Sequence, residues 1–196
     1  MKAYYEARAS EYDDWWLGTR LFARRERPGW AEERDALVAT LAVLSPARTL
    51  DVACGTGFLT QHLPGELTCL DQSASMLEVA ARRLPEADLV LGDALPLPFQ
   101  HRSFDRVFTS HFYGHLEEAE RRLFLAEARR VAPELVVVDS ALRDDVRPVE
   151  WQERTLNDGS RWQVYKRYFT APQLAAELVG ETLFDGRWFV AVRSVA

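Results

Sequence analysis

Cysteine, lysine and long apolar runs are all scarce in this chain. The two cysteines, Cys54 and Cys69, form no CxxC pair and cannot build a disulfide framework, which fits a reducing, cytoplasmic compartment. Only Lys2 and Lys166 stand among the 24 basic residues, so Schiff-base chemistry has two candidates and every other cation is a permanently charged arginine. No apolar run approaches the ~18 to 20 residues that span a bilayer, and the opening MKAYYEARASEYDD has no apolar core of a secretory signal; no membrane partner is expected. Excess positive charge is missing as well. A formal net charge of -6 disfavours broad binding to a phosphate backbone, so no nucleic-acid partner is expected.

With 196 residues and 47% hydrophobic content, a single domain over 1–196 is expected. From about Ala31 to Leu44 the spacing predicts a helix, followed by a regular alternation. Strands are predicted at Arg48 to Ala53, Leu67 to Leu70, Asp88 to Leu91, Phe104 to Thr109 and Leu135 to Val138. Between them fall a short helix from Phe58 to Leu63, a helix from Ser73 to Leu84 with Ser73 as its cap, and a helix from Glu117 to Val131 with Leu123, Ala126 and Arg130 in register. Such alternation implies a parallel sheet with helices on both faces. Trp162 to Phe169 alternates like a strand, and Ala171 to Leu178 reads as a helix started by Thr170. Glu181 to Phe184 and Trp188 to Val192, joined by Asp185-Gly186, read as an antiparallel hairpin. The expected fold is therefore α/β: a Rossmann-like, seven-stranded, mostly parallel sheet closed by that hairpin.

The most specific segment is Leu50-Asp51-Val52-Ala53-Cys54-Gly55-Thr56-Gly57-Phe58, at the turn out of the first strand. Gly55 and Gly57 let backbone approach a ligand, but Thr60 stands where a nicotinamide fingerprint needs its third glycine. Asp51 would repel a phosphate and attract a ligand carrying an ammonium and a sulfonium. Asp71 ends the second strand, where a carboxylate can accept both ribose hydroxyls, with Gln72 beside it. Asp93 follows the third strand and can accept from an adenine amine, while Ala94 offers a backbone N–H; Met76 could pack on the adenine face. Each Asp alone also suits a solvated turn or a helix cap; three at successive strand ends point to a shared site.

LDVACGTG, CLDQS, GDALPLPF and FDRVFTSHF together resemble the class I S-adenosylmethionine-dependent methyltransferases over about Arg48 to Ser140, and ETLFDGRWFVAV is similar to their closing strands. The resemblance implies a strand order 3-2-1-4-5-7-6 and S-adenosylmethionine as cofactor. It implies Asp51 near the methionine amino group, Gly55 and Gly57 under the ligand with Ala53 and Cys54 between, Asp71 on the ribose and Asp93 at the adenine. Ala53 departs from the glycine of many members, a change expected to be mild.

The loop Ser110-His111-Phe112-Tyr113-Gly114-His115 follows the fourth strand, and in the resembling family it flanks the sulfonium. His111 and His115 are candidate general bases, or loop residues that shape the pocket; Gly114 and the lack of a cysteine cluster argue against a metal, and none is expected. Seven of the 22 aromatic residues fall within 1–30, which reads as a lid, with Tyr12 and Trp16 its best ligand contacts, or as a helix docked on the sheet. The stretch 146–170, with Arg161, Lys166 and Arg167, reads as an acceptor-side insert for an anionic or aromatic acceptor, or as a hairpin packed on the sheet edge. The expected function is methyl transfer to a small-molecule acceptor by a monomer or homodimer. The alternatives are a nicotinamide-dependent reductase and a non-catalytic module that binds the cofactor.

Overall fold

The computed structural model describes residues 1–196. Nine strands form: β1 (Ala47–Val52), β2 (Gly65–Asp71), β3 (Asp88–Leu91), β4 (Arg106–Ser110), β5 (Glu134–Ser140), β6 (Val149–Thr155), β7 (Arg161–Arg167), β8 (Glu181–Asp185) and β9 (Phe189–Val195). Seven make one sheet in the order β3-β2-β1-β4-β5-β9-β8. It is parallel from β3 through β5, and β9 and β8 join antiparallel. This is the Rossmann-like sheet, with its closing hairpin, that the alternation and the resemblance led us to expect.

Strands β4 and β5 are the apolar centre. Val136, Val137 and Val138 are buried, as a parallel strand covered on both faces requires. Their alternation divides the core. Leu135 and Val137 face a cluster with Phe124, Ala128, Leu174 and Leu178, whereas Val136 and Val138 face one with Trp16, Trp30, Leu37, Leu41 and Phe189. The first face is covered by α5 (Glu118–Val131) and α6 (Ala171–Leu178), the second by α3 (Trp30–Ala42) and the N-terminal segment, which holds α1 (Lys2–Arg8) and α2 (Asp13–Leu17). Helix α4 (Ala74–Arg83) begins where Ser73 Oγ accepts the Met76 N–H at 3.2 Å, and it buries Met76, Leu77 and Ala80.

Two local expectations change. Phe58 to Leu63 makes only a 3₁₀ turn at Thr60–His62, where the His62 N–H donates to the Leu59 carbonyl and the Leu63 N–H to the Thr60 carbonyl. Along α5 the buried residues are Arg121, Phe124, Ala128 and Val131, so Leu123 is exposed and the apolar stripe runs one position away from the expected register. Within 146–170, for which a hairpin is one of the two readings, Trp162 to Phe169 yields β7 and pairs with β6, VEWQERT. Charged and polar residues alternate along it, and it pairs only with β7, as a two-stranded sheet apart from the main one.

The N-terminal segment is tied across the carboxyl edge of the sheet at two places. The Glu6 carboxylate accepts the N–H groups of Ala74 and Ser75, at 2.9 and 3.1 Å, where the positive end of α4 favours it. Asp13 accepts the Thr56 hydroxyl at 2.6 Å and Arg83 Nη2 at 2.5 Å, joining α2 to the loop after β1 and to the end of α4. No helix is long and apolar enough to cross a membrane.

Candidate active site

A cleft of about 270 Å³ lies beyond the carboxyl ends of β1, β2, β3 and β4, where open α/β sheets bind ligands. It brings together Tyr12, Ala53, Gly55, Asp71, Gln72, Asp93, Ala94, Ser110, His111 and His115 from five separate stretches of chain. No lysine or arginine lines it; its ionisable side chains besides the histidines and tyrosines are Asp71, Asp93 and Glu120.

Backbone geometry explains the shape. Gly55 has φ +56°, and a side chain there would point at the Tyr12 ring, 3.6 Å away. Ala53 and His111 also adopt positive φ, +58° and +53°, at the ends of the two central strands β1 and β4. An L-residue there costs roughly 1 to 2 kcal/mol, so Ala53 is less mild a replacement for glycine than the sequence suggested. Both strained positions line the cleft.

Asp71 is buried at the β2 tip. Its Oδ2 accepts the Gly55 N–H at 2.9 Å and its Oδ1 the Ser73 N–H at 2.9 Å. Burial holds its carboxyl above the usual range, partly offset by those two hydrogen bonds. Asp93 is exposed on the cleft wall. Asp51 lies beneath the loop and does not reach the cleft surface: Thr60 donates its hydroxyl to Oδ2, Oδ1 is buried without a partner, and burial pushes the carboxyl up to about 8.

His111 packs its ring against Trp15 and Trp16, with ring centres 4.8 and 5.1 Å away. Its Nδ1 lies 3.2 Å from Ser140 Oγ and 3.9 Å from Asp139 Oδ1, and its Nε2 has no partner. Burial above all pushes it down to about 3, so it is neutral at pH 7. His115 donates Nδ1–H to the Tyr165 carbonyl at 2.6 Å, which ties the loop after β4 to β7; burial holds it neutral too. Behind them Asp139 accepts Lys166 Nζ at 2.5 Å and the N–H groups of Gly114 and Ser140, each at 2.7 Å. Burial alone would raise Asp139, but Lys166 beside it holds it low.

Four expected contacts lie elsewhere. Trp16 is a core residue, 1% exposed, stacked on Phe58 at 4.8 Å and packed on Phe189, because its ring completes the cluster under α3. Met76 is fully buried on the inner face of α4. Gly57 faces α4, where a Cβ would meet Leu84 at 2.7 Å, so its role in the structure is close packing. Cys54 packs with Cys69, Leu77 and Leu84. Conversely, Glu120 lines the cleft without having been singled out, and Tyr5, one of the lid aromatics, lines it beside Tyr12. Tyr5 lies in the aromatic N-terminal stretch, whereas nothing in the sequence pattern marks Glu120.

Residues 50–134 match the family model for a methyltransferase domain. Over that stretch the chain is similar to methyltransferase domains. A demethylmenaquinone methyltransferase of Thermotoga maritima is 38% identical to this chain over 103 residues, covering 50% of this chain and 44% of the relative. A phthiotriol/phenolphthiotriol dimycocerosates methyltransferase of Mycobacterium ulcerans is 38% identical over 125 residues, covering 58% of this chain and 44% of the relative. The matches thus span less than half the length of these curated relatives. Among solved structures, one titled as a DhpI–SAH complex superimposes with TM-score 0.71 at 26% identity, covering 97% of this chain and 92% of that one.

Proposed function

We propose that the methyltransferase domain transfers a methyl group from S-adenosylmethionine to a small-molecule acceptor, acting as one domain over 1–196 in the cytoplasm. The observation that carries this reading is the charge of the cleft. Three carboxylates and no cationic side chain face it, and Asp51 beneath it keeps one oxygen unpartnered. That donor set suits a ligand with a sulfonium and an ammonium and is hostile to a pyrophosphate, which disfavours the nicotinamide reading.

When bound, S-adenosylmethionine supplies a methyl group on a positively charged sulfur, already a good leaving group. What remains for the protein is alignment and exclusion of water, worth ~7 to 11 kcal/mol in well-oriented systems. Asp71 and Gln72 are assigned to the ribose, Asp93 and Ala94 to the adenine, Ala53, Gly55 and Ser110 to the amino-acid part. Tyr12 and Tyr5, held by the Glu6 and Asp13 ties, act as the lid in 1–30. His111 lines the cleft with Nε2 buried and unpartnered; with Nδ1–H directed to Ser140 Oγ, Nε2 carries the lone pair. A neutral ring of such low basicity orients an acceptor better than it deprotonates one. The segment 146–170 forms the acceptor side, joined to the cleft by the His115–Tyr165 bond.

Isothermal titration with S-adenosylhomocysteine tests the reading. Saturable one-site binding, with methylated product from a panel of small acceptors, is expected. Absence of binding overturns the reading, and binding without turnover over a broad panel leaves a cofactor-binding module instead.

A further inference from the structure

The acidic cleft shares Tyr5, Tyr12, His111 and His115 with a second cavity of about 570 Å³, walled by the N-terminal segment, β6, β7 and the end of β5. There cationic and acidic side chains mix, six to five. Arg8, Arg25, Arg27, Arg143, Arg154 and Lys166 reach its wall. Two of these are neutralised within the protein: Lys166 by Asp139 at 2.5 Å, and Arg143 by Asp145 at 2.9 Å. Arg27 donates to the Trp15 carbonyl at 2.8 Å and lies over the Trp30 ring at 3.8 Å, a packing role.

Arg8, Arg25 and Arg154 have no carboxylate at ion-pair distance. Arg8 is 6% exposed; its Nη1 donates to the Tyr4 hydroxyl at 2.8 Å, and its guanidinium sits 4.7 Å from the Tyr12 ring centre. Arg154 is half-buried and donates Nη2 to Gln152 Oε1 at 3.0 Å. Burying a guanidinium such as that of Arg8 without a counter-ion is costly.

The acids on the same wall make their own contacts, none of them at ion-pair distance from Arg8 or Arg154. Glu11 accepts the Asn157 N–H at 2.8 Å, Glu150 the Gln152 amide at 2.7 Å, and Glu153 pairs outward with Arg161 at 3.6 Å. Glu26 is exposed. The positive field is felt across the cavity: burial lowers Arg25, and Arg154 and Arg8 lower it further. After burial, Lys166, Arg154 and Arg8 likewise depress His111 against the opposing pull of Asp139.

We propose that this second cavity is the acceptor site and that it selects a small molecule bearing an oxyanion, a carboxylate, phosphate or phosphonate, held between Arg8 and Arg154. The proposal rests on the methyl-transfer reading for the neighbouring cleft. A guanidinium fork matches two oxygens of such a group, and about 570 Å³ suits a small molecule. A cationic donor and an anionic acceptor would thereby sit in neighbouring cavities, with the rings of His111, Tyr12 and His115 in the wall they share.

The test is calorimetric titration of protein saturated with S-adenosylhomocysteine, using methylphosphonate and acetate as probes and ethanolamine as the cationic control. At least one anion binds saturably, ethanolamine does not, and affinity falls as salt rises. In Arg154→Gln and Arg8→Gln the anion binds roughly tenfold or more weakly, and in Arg154→Gln S-adenosylhomocysteine affinity and Tm are unchanged. Arg8→Lys keeps the charge but loses the fork, and it retains intermediate affinity. Cofactor binding with no anion binding, or anion binding indifferent to Arg154→Gln, overturns the proposal and leaves the methyl-transfer reading standing. If S-adenosylhomocysteine itself does not bind, the methyl-transfer reading fails, and the same titration on unloaded protein decides the anion site alone.

Discussion

Asp71 Oδ2 accepts the Gly55 N–H at 2.9 Å, so the tip of β2 holds in place the loop that leaves β1. One carboxylate both shapes the glycine turn and faces the cleft. Replacing it by alanine leaves a buried N–H unpaired and removes the proposed ribose acceptor. Each loss is worth ~1 to 3 kcal/mol. Asp71→Ala is expected to weaken S-adenosylhomocysteine binding by roughly a hundredfold by calorimetry; unchanged affinity would remove Asp71 from the site.

Asp13 joins α2 to Thr56 and Arg83. The ion pair is half-exposed, so its contribution to global stability is small, below about 1 kcal/mol. Its expected effect is local. Asp13→Ala should speed hydrogen exchange in residues 2–17 and raise the dissociation rate of S-adenosylhomocysteine in stopped flow, with Tm nearly constant. Equal exchange rates in wild type and variant would show that the tie does not hold the segment down.

Trp16 is packed between Phe58 and Phe189 and does not reach the cleft. Trp16→Ala should destabilise the fold by about 3 to 5 kcal/mol in urea unfolding, the usual cost of a large core truncation. The milder Trp16→Phe should leave cofactor affinity within about twofold. A selective loss of binding in the phenylalanine variant would restore Trp16 as a ligand contact.

His111 has a folded-state value of about 3 against an ordinary 6.5. Between these values the unfolded chain takes up a proton that the folded ring refuses. Its contribution to stability is therefore complete above pH 6.5 and drains away as the pH falls toward 3. From pH 6.5 to pH 4 this one ring should remove about 3 kcal/mol. Urea titrations of wild type and His111→Asn over that range should show a shallower acid decline in the variant, and parallel declines would contradict a buried neutral ring.

The order and type of the main-sheet strands were legible from local pattern, as was the glycine turn between Asp51 and Asp71. Valine-rich runs can only be covered strands, Ser73 and Thr170 carry the oxygen that a helix start needs, and glycines mark a turn wherever the chain lies. The exposed Leu123 and the separation of the β6–β7 hairpin from the main sheet were not legible, because each depends on which face a neighbouring element covers.

For the candidate site the division runs along the same physical line. The residue types in the cleft, acids at strand tips with two histidines after β4, follow from positions along the chain, and a strand end is a location that sequence can specify. Tertiary structure alone decided which of them share a space. It sent Asp51 beneath the loop and Trp16 into the core, and it set Arg8 and Arg154 on one wall although most of the chain separates them. Charge in a cavity is a property of what faces inward and of what neutralises it. Those are relations between distant residues, and a single chain read end to end does not contain them.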